Sequence, residues 1–290
     1  MKQGLFTLNH LINNIYTTHA LKAAIARCFD ISLTEYCIFL ELIKGASPGS
    51  PSHLSQRLGL TPSAVTLCLN HLEQRGLVDK AAQGDDARRL DIVLSASGLQ
   101  LLPQIDREVA QVISDIWQPL TSAQRELLLK GSLVIVRMHR NIRLESGRVR
   151  ADTLYAEAVL ITYASLGRIA RQHGLTLNSF SILFALARQR NPMRAMDVAN
   201  TLLMRQNTLT ASAKALLANN LVQLHVDAGD RRSHLLSITE EGNEVFFRAY
   251  RPMDALTHER MGTLDAQERR EFKAIGDIFI AAERKRRALG

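Results

Sequence analysis

Aromatic residues, cysteines and long apolar runs are all scarce in this chain. Aromatic side chains make up 5% of its 290 residues, although hydrophobic residues make up 46%. Leucine, isoleucine, valine and alanine must therefore fill the packed cores, and leucine and alanine favour helices over strands. No segment reaches the roughly 18 consecutive apolar residues of a membrane helix. The sequence therefore predicts a mainly helical protein that does not enter a membrane.

The first twenty residues and the cysteines indicate a cellular compartment. The segment "MKQGLFTLNHLINNIYTTHA" is dotted with asparagine, histidine and threonine, which is not the pattern of a signal peptide. The three cysteines, Cys28, Cys37 and Cys68, show no Cys-x-x-Cys spacing. We interpret them as reduced, partly buried thiols of a cytoplasmic protein, with a redox-sensing thiol as the alternative.

Sequence motifs of common catalytic and cofactor sites are absent as well. The chain contains no Gly-x-Gly-x-x-Gly, no Walker motif and no Gly-x-Ser-x-Gly. Its nine histidines are scattered, without a pair at metal-ligand spacing. Because spacing alone assembles no nucleophile, base and orienting group, we expect no enzyme, no cofactor and no metal site.

One short sequence pattern, called the repeated phrase below, occurs twice in the chain. "DDARRLDIVLS" begins at Asp85 and "GDRRSHLLSIT" begins at Gly229. A shift of 144 residues superposes the two halves of the chain without a gap, placing Gly98 on Gly242 and "IAR" at 25–27 on "IAR" at 169–171. Such constant register predicts two copies of one domain, residues 1–145 and 146–290. The seam falls in 143–152, a polar stretch that could also continue as helix.

Both copies predict the same order of elements. A long amphipathic helix (5–28; 151–173) precedes a second helix with Thr34 or Asn178 as N-cap. Two short helices follow, at 52–58 and 62–75 in the first copy and at 195–202 and 206–219 in the second. A two-stranded ribbon comes next, because apolar and polar residues alternate in "LDIVLS". Two closing helices complete each copy, the first of them kinked or started late at Pro103.

Helix, turn, helix and ribbon is the order of a winged helix-turn-helix. The segments "LSQRLGLTPSAVTLCLNHLEQRGLV" and "DDARRLDIVLSASG", with "VANTLLMRQNTLTASAKALLANNLV" and "GDRRSHLLSITEEG" in the second copy, resemble the MarR family of transcriptional regulators. The resemblance covers nearly the whole chain, twice. It implies a mainly α fold with small β-wings, in which two tandem winged helix-turn-helix domains are joined through long terminal helices.

The resemblance also implies a function. MarR-like regulators dimerise through their terminal helices and place two recognition helices on a two-fold DNA site. Two fused copies resemble a one-chain pseudo-dimer of this kind, more plausibly a monomer than a homodimer, acting as a repressor. Many relatives release DNA when a small aromatic, often phenolic, ligand binds between the terminal helices and the DNA-binding lobe, so the resemblance implies such a pocket in each half.

Helical periodicity separates two faces of each predicted recognition helix. Val65, Leu69 and Leu72 in the first copy, and Leu209, Ala213 and Leu216 in the second, are expected to face the core. The DNA-facing candidates are Ser63, Thr66, Leu67 and Asn70 in the first copy and Arg205, Gln206, Asn207, Thr210 and Lys214 in the second. Such side chains can read base edges or bind phosphate. Because the two sets differ, we expect an imperfect, asymmetric palindrome.

The repeated Asp-x-Arg phrase supplies the wing candidates. The resemblance implies that Asp86 and Asp230 orient Arg88 and Arg232, which then enter minor grooves, where narrow width concentrates negative potential. Further phosphate contacts are expected from Arg89, Arg231 and His234. The alternative is an exposed ion pair that only holds the ribbon.

The formal net charge of +8 agrees with a polyanionic partner but does not require one. The leading interpretation is a regulator that binds double-stranded DNA. The alternative is a winged-helix module for protein–protein interaction whose DNA binding is lost in one half, since the first recognition face carries no charge. The basic segment "ERKRRALG" at the end of the chain is interpreted as a solvated helix end or a DNA contact.

Overall fold

The computed structural model describes residues 4–43, 50–58, 60–83, 86–140, 150–189, 191–226 and 234–289. Described helices of the first repeat are α1 (Leu8–Phe29), α2 (Leu33–Ile43), α3 (Pro51–Leu58), α4 (Pro62–Gln74), α5 (Ala96–Trp117) and α6 (Ser122–Arg140). Those of the second repeat are α7 (Ala151–Gln172), α8 (Leu177–Ala187), α9 (Ala195–Leu202), α10 (Gln206–Ala218), α11 (Glu240–Arg260) and α12 (Ala266–Leu289). The described helices of either repeat are not long and apolar enough to cross a membrane.

The strands form one small antiparallel sheet in each repeat. In the first repeat, β1 (Val78–Gln83) pairs with β2 (Asp86–Leu94). In the second, β4 (Val222–Val226) pairs with β5 (His234–Ile238), and the two-residue strand β3 (Met193–Arg194) adds to the other edge of β5. This third strand was not expected. The mainly α fold with two β-wings is confirmed.

Corresponding elements of the two repeats keep the 144-residue register. The helix pairs α2 and α8, α3 and α9, and α4 and α10 each begin and end 144 residues apart, and α5 and α11 begin 144 apart. The last residue of β2 pairs with Val78, and the last residue of β5 pairs with Val222. These two pairs lie at equivalent positions of the two repeats. The proposed seam at 143–152 lies mostly outside the described residues, and the 145/146 boundary stays a prediction.

Several local expectations were wrong. Thr34 and Asn178 lie inside their helices rather than at the N-cap. Helix α2 begins instead after Ser32, which exchanges hydrogen bonds with Glu35 in a capping box. Thr176 caps α8 through the Ser179 amide. Helix α5 begins before Pro103 and continues through it, so the expected late start is also wrong.

Contacts between residues divide the described chain into two compact units. Unit 1 contains the described residues of Met1–Tyr16, Pro119–Val134 and Thr162–Gly290, and unit 2 contains those of Thr17–Gln118 and Ile135–Ile161. Each unit therefore combines the winged helix-turn-helix of one repeat with helical segments of the other. The sequence register did not indicate this exchange.

Phe6 shows the exchange in the core of unit 1. Its ring lies 5.9 Å from those of Phe184 and Tyr250, centroid to centroid, and 6.3 Å from that of Phe180. The backbone is fixed as well, because the Phe6 amide donates to Asp254 Oδ1 at 2.8 Å. A residue of the first repeat thus completes the aromatic core of the second.

A hydroxyl joins each wing to the helix that follows it. Ser95 Oγ accepts from the Gly98 amide at 3.0 Å and donates to the Gly76 carbonyl at 2.6 Å. In the second repeat, Thr239 Oγ1 accepts from the Gly242 amide at 2.9 Å and donates to the carbonyl of Asn220 at 2.7 Å. The Ser/Thr-x-x-Gly end of the repeated phrase is therefore a structural link that sets where the wing leaves the domain.

Candidate nucleic-acid interface

The inward faces of α4 and α10 are confirmed by burial. Val65, Leu69 and Leu72 are at most 5% exposed. Leu209, Ala213 and Leu216 of α10 are buried too. Because these residues recur every three to four positions, they fix which side of each helix faces away from the protein.

The outward face of α4 carries polar and apolar groups but no charge. Ser63, Thr66, Leu67 and Asn70 are all exposed, and Leu67 is 72% exposed. A leucine this accessible is suited to contact another surface, either the methyl group of a thymine or an apolar protein patch.

The outward face of α10 differs in chemistry. The exposed residues there are Arg205, Gln206, Asn207, Thr210 and Lys214. Two of these side chains are cationic, and two carry an amide that can pair with the edge of adenine. The structure thus brings together every described candidate of the second recognition face on one exposed surface.

The threonines at equivalent positions of the two faces both use their hydroxyl proton in a hydrogen bond within the helix. Thr66 Oγ1 donates to the Pro62 carbonyl at 2.9 Å, and Thr210 Oγ1 donates to the carbonyl of Gln206 at 2.9 Å. In this rotamer each hydroxyl offers lone pairs and a methyl group to a partner. Both side chains are therefore suited to accept from a base amino group rather than to donate to a phosphate.

The N-cap residue before each recognition helix is a further difference between the two repeats. Thr61 caps α4 by accepting from the amide of Ala64 at 3.3 Å. Arg205 stands at the same position of α10 and makes no side-chain capping bond. Since arginine is a poor N-cap, the second repeat has an exposed guanidinium where the first has a stabilising hydroxyl.

The side chains of the wing candidates lie outside the described residues. Only the backbone of Asp86, Arg88 and Arg89 is described, within β2, and His234 begins β5. Asp230, Arg231 and Arg232 lie between β4 and β5, where the structure describes no residue. Their roles stay predictions.

A buried carboxylate holds the first recognition helix. Glu35 of α2 is 4% exposed, and its Oε1 lies 2.6 Å from Nδ1 of His71 on α4. The equivalent positions in the second repeat are Ser179 and Ala215, which make no such pair. This anchor was missed because residues 36 apart in sequence give no periodic signal.

The three cysteines are free thiols that differ in their exposure. Cys28 is exposed, which corrects the expectation that it is partly buried, whereas Cys37 and Cys68 are intermediate; all three are free. Burial and the nearby Glu35 carboxylate raise the pKa of the Cys68 thiol, which disfavours the reactive thiolate. Within the described ranges, no three His, Cys, Asp or Glu side chains group as metal ligands.

Comparison with known proteins finds a family similarity in both repeats. The MarR family model matches residues 29–89 and 173–233, two segments that begin 144 residues apart and each contain a helix-turn-helix. The chain is thus similar to the MarR family in the helix-turn-helix segment of each repeat. A relative from Bacillus subtilis strain 168, the uncharacterized HTH-type transcriptional regulator YwhA, is 36% identical over 70 residues, which are 24% of this chain and 50% of YwhA.

Other relatives and solved structures of the MarR type cover one repeat. PrsX of Escherichia coli, an HTH-type transcriptional regulator, is 30% identical over 27% of this chain and 47% of its own length. This chain thus spans about half the length of these curated relatives. AbsC, a MarR family transcriptional regulator from Streptomyces coelicolor, is 24% identical over 50% of this chain and 98% of its own, with a TM-score of 0.42.

Proposed function

We propose that this MarR-like chain is a sequence-specific double-stranded DNA-binding regulator, acting as a repressor. One observation carries the proposal: α4 and α10 occupy equivalent positions of two winged helix-turn-helix repeats and expose polar faces away from the cores. A helix placed in this way can enter a major groove. The curated relative YwhA, named as an HTH-type transcriptional regulator, supports the same function.

The proposal includes a one-chain pseudo-dimer. The family resemblance implies pairing through terminal helices, and Phe6, Leu8 and Leu11 of the first repeat lie in the same apolar core as Phe180 and Phe246 of the second. That packing within unit 1 supports a pairing inside one chain of the kind that a homodimer would make between two. We therefore propose that a single chain binds the operator, with α4 and α10 in successive major grooves.

The operator should be an imperfect palindrome. The second face carries Arg205 and Lys214 and the first face carries no charge, so the half-site under α10 should tolerate fewer base changes. The wing arginines, Arg88 and Arg232, are proposed to enter the flanking minor grooves.

Selection from random duplex DNA at about 0.15 M salt tests the proposal, because nonspecific phosphate attraction is weakened there. The expected result is one enriched site with two related but unequal arms, bound by one chain. The variant Lys214→Ala should relax base preference in the more stringent arm only, and Asn70→Ala in the other arm only. Two equally stringent, identical arms would contradict the asymmetry, and no enrichment would contradict the function.

Ligand-controlled release is the part of the proposal that the resemblance alone supports. A small aromatic ligand would shift the population between two spacings of the recognition helices. Adding simple phenols and aromatic acids to the preformed complex, and measuring the fraction of DNA bound, tests it. If none of these compounds releases the DNA, ligand-controlled release is contradicted, whereas the proposal of DNA binding is unaffected.

The exposed Leu67 favours a second candidate function for the first repeat. An uncharged face with a leucine that is 72% exposed is suited to an apolar patch on a protein partner as well as to DNA. If selection enriches only a single half-site and Leu67→Ala does not change DNA affinity, the first repeat is better described as a protein-interaction module.

A further inference from the structure

The basic end of α12 is exposed, and it also makes hydrogen bonds to other elements of unit 1. Glu283 is only 8% exposed, and three partners surround its carboxylate. Oε1 accepts from Arg287 Nε at 3.0 Å, and Oε2 accepts from the Tyr16 hydroxyl at 2.9 Å and lies 3.2 Å from Arg286 Nη1. Burial and the bond to Glu283 raise the pKa of Tyr16, so its hydroxyl stays protonated as a donor.

The guanidinium of Arg287 connects this carboxylate to the helix-turn-helix of the second repeat. Its Nη2 donates to the carbonyl of Leu203 at 3.0 Å. Leu203 is the residue that turns the chain from α9 into α10, and it is held at a φ of 51°. A leucine in this left-handed region is strained, so contacts that hold the turn stabilise it.

A second arginine of α12 binds the same turn. Arg284 Nη2 donates to the Thr201 carbonyl at 3.4 Å. The last carbonyls of a helix have no partner within it and carry partial negative charge, which makes the end of α9 a suitable place for two guanidinium groups.

The first repeat makes a related contact with a different residue. His139 Nε2 lies 2.7 Å from the carbonyl of Arg57, at the end of α3. Arg57 is the equivalent of Thr201, so the end of the last helix meets the same carbonyl in both repeats. Contact between these two elements therefore belongs to the repeated architecture.

We propose that Glu283 and Arg287 are positioning residues that hold the α9–α10 turn and thereby aim the recognition helix α10 at DNA. The inference rests on the proposed function and deepens it. Glu283 orients Arg287 through Nε, and Arg287 supports the Leu203 carbonyl through Nη2. Neither residue needs to touch DNA for this role, because Nε and Nη2 of Arg287 already bind Glu283 and the Leu203 carbonyl within the protein.

The variant Glu283→Gln distinguishes positioning from simple electrostatics by the sign of its effect. Removing a negative charge would strengthen the attraction of a basic protein for DNA if charge alone mattered. If Glu283 orients Arg287, the same variant weakens specific binding by a factor of about 5 to 30, as loss of a charge-assisted bond implies. Tighter or unchanged binding would overturn the proposal.

Arg287→Ala should weaken specific binding to a similar extent and leave the salt dependence unchanged. Loss of a phosphate contact would instead lower the slope of log affinity against log salt by about one. The double variant should bind no more weakly than Arg287→Ala alone, because the two residues act in series. We call Glu283 and Arg287, together with their hold on the α9–α10 turn, the clamp. A reduced salt slope, or fully additive losses of affinity, would refute the clamp.

Arg286→Ala is the matched control. Arg286 pairs with the same Glu283 carboxylate and lies 3.4 Å from the Tyr16 hydroxyl, and the structure gives it no contact to the turn. The variant should bind DNA within about twofold of the parent, since Arg286 is half exposed and Arg287 and Tyr16 still hold the Glu283 carboxylate. Arg287→Lys serves if Glu283→Gln does not fold, because lysine keeps the charge but cannot bridge Glu283 and Leu203 together.

Amide hydrogen exchange without DNA separates failure of the clamp from failure of the proposed function. Amides of the α9–α10 turn and of the first turn of α10 should exchange several-fold faster in Glu283→Gln and Arg287→Ala, with parental rates retained in β4 and β5. Unchanged exchange overturns the clamp even if DNA binds. Faster exchange in a protein that selects no DNA supports the clamp while contradicting the proposed function.

Discussion

The carbonyl oxygen of Leu221 occupies the space that a Cβ atom would need at Gly242. The same relationship holds between Leu77 and Gly98 in the first repeat, and in both cases the added atom would lie within 3.0 Å of a backbone oxygen. The last residue before each wing and the first turn of the helix after it thus approach more closely than any other amino acid allows. The repeated glycine is explained by this approach.

Gly98→Ala and Gly242→Ala should each destabilise the protein by at least about 2 kcal/mol, because backbone rather than a flexible side chain must move. Denaturant unfolding followed by circular dichroism measures the change. Gly131→Ala in α6 is the control, since its nearest neighbour would be a ring carbon of Phe272 at 3.5 Å. It should be neutral or slightly stabilising, because alanine is the better helix former. Equal losses at all three positions would contradict the explanation.

Arg205→Thr should stabilise the second repeat while weakening DNA binding. Threonine would supply the capping bond that α10 lacks, worth about 1 kcal/mol. Loss of the exposed guanidinium should reduce affinity by about tenfold if it contacts a base. Thermal unfolding and a DNA titration measure the two effects.

The reciprocal change, Thr61→Arg, is the control for the cap and should lower stability by about the same amount, since it removes the bond to Ala64. A stabilised Arg205→Thr variant with parental DNA affinity would show that Arg205 does not act in recognition.

Arg88→Ala and Arg232→Ala should weaken DNA binding without lowering thermal stability. Each change should also reduce the salt slope by about one if the arginine lies against phosphates in a minor groove. DNA titrations at several salt concentrations, with Arg89→Ala and Arg231→Ala beside them, measure both effects. Parental affinity in both Arg88→Ala and Arg232→Ala would leave the Asp-x-Arg phrase with a structural role only.

His10 predicts a pH dependence of stability in the core of unit 1. Burial lowers its pKa, against the opposing effect of a bond to the Phe272 carbonyl. Nε2 lies 2.9 Å from that carbonyl oxygen, and the ring stacks on Phe272. The unfolded chain, in which the pKa of histidine is about 6.5, therefore takes up the proton more readily than the folded one.

Stability contributed by neutral His10 should be fully present above about pH 6.5 and should decrease as the pH falls towards the lowered folded pKa, by at most about 1.4 kcal/mol per pH unit. Urea unfolding at several pH values, compared between the parent and His10→Gln, isolates the contribution from those of the other histidines. An identical pH dependence in the two proteins would contradict it.

The fold could largely be predicted because the helix-turn-helix and wing depend on local pattern. Burial of Val65, Leu69 and Leu72 follows from their spacing, and Thr61-Pro62 marks the start of α4. The capping box of Ser32 and Glu35 is local, but the anchoring role of Glu35 depends on His71, 36 residues away. The periodic spacing of apolar residues gives no information about a pair so far apart in the sequence.

The exchange of helices between units could not be predicted from the repeat. Two copies with the same apolar pattern offer the same faces for packing, so the sequence does not say which copy the ring of Phe6 will join. The contact of Arg287 with the Leu203 carbonyl could not be predicted either. Every residue has a backbone carbonyl, so the sequence does not show which carbonyl accepts the hydrogen bond. The exposed faces of α4 and α10 were predicted, and their DNA contacts stay a prediction.

The position of Phe6 sets the order in which the protein can be completed on the ribosome. The ring partners of Phe6, which are Phe180, Phe184 and Tyr250, are synthesised more than 170 residues after it. At roughly 5–20 residues per second, this apolar segment waits on the order of ten seconds or more before its partners exist. The nascent chain must therefore expose the apolar side chain of Phe6 until the second repeat has been synthesised, which makes this segment one on which a chaperone would act.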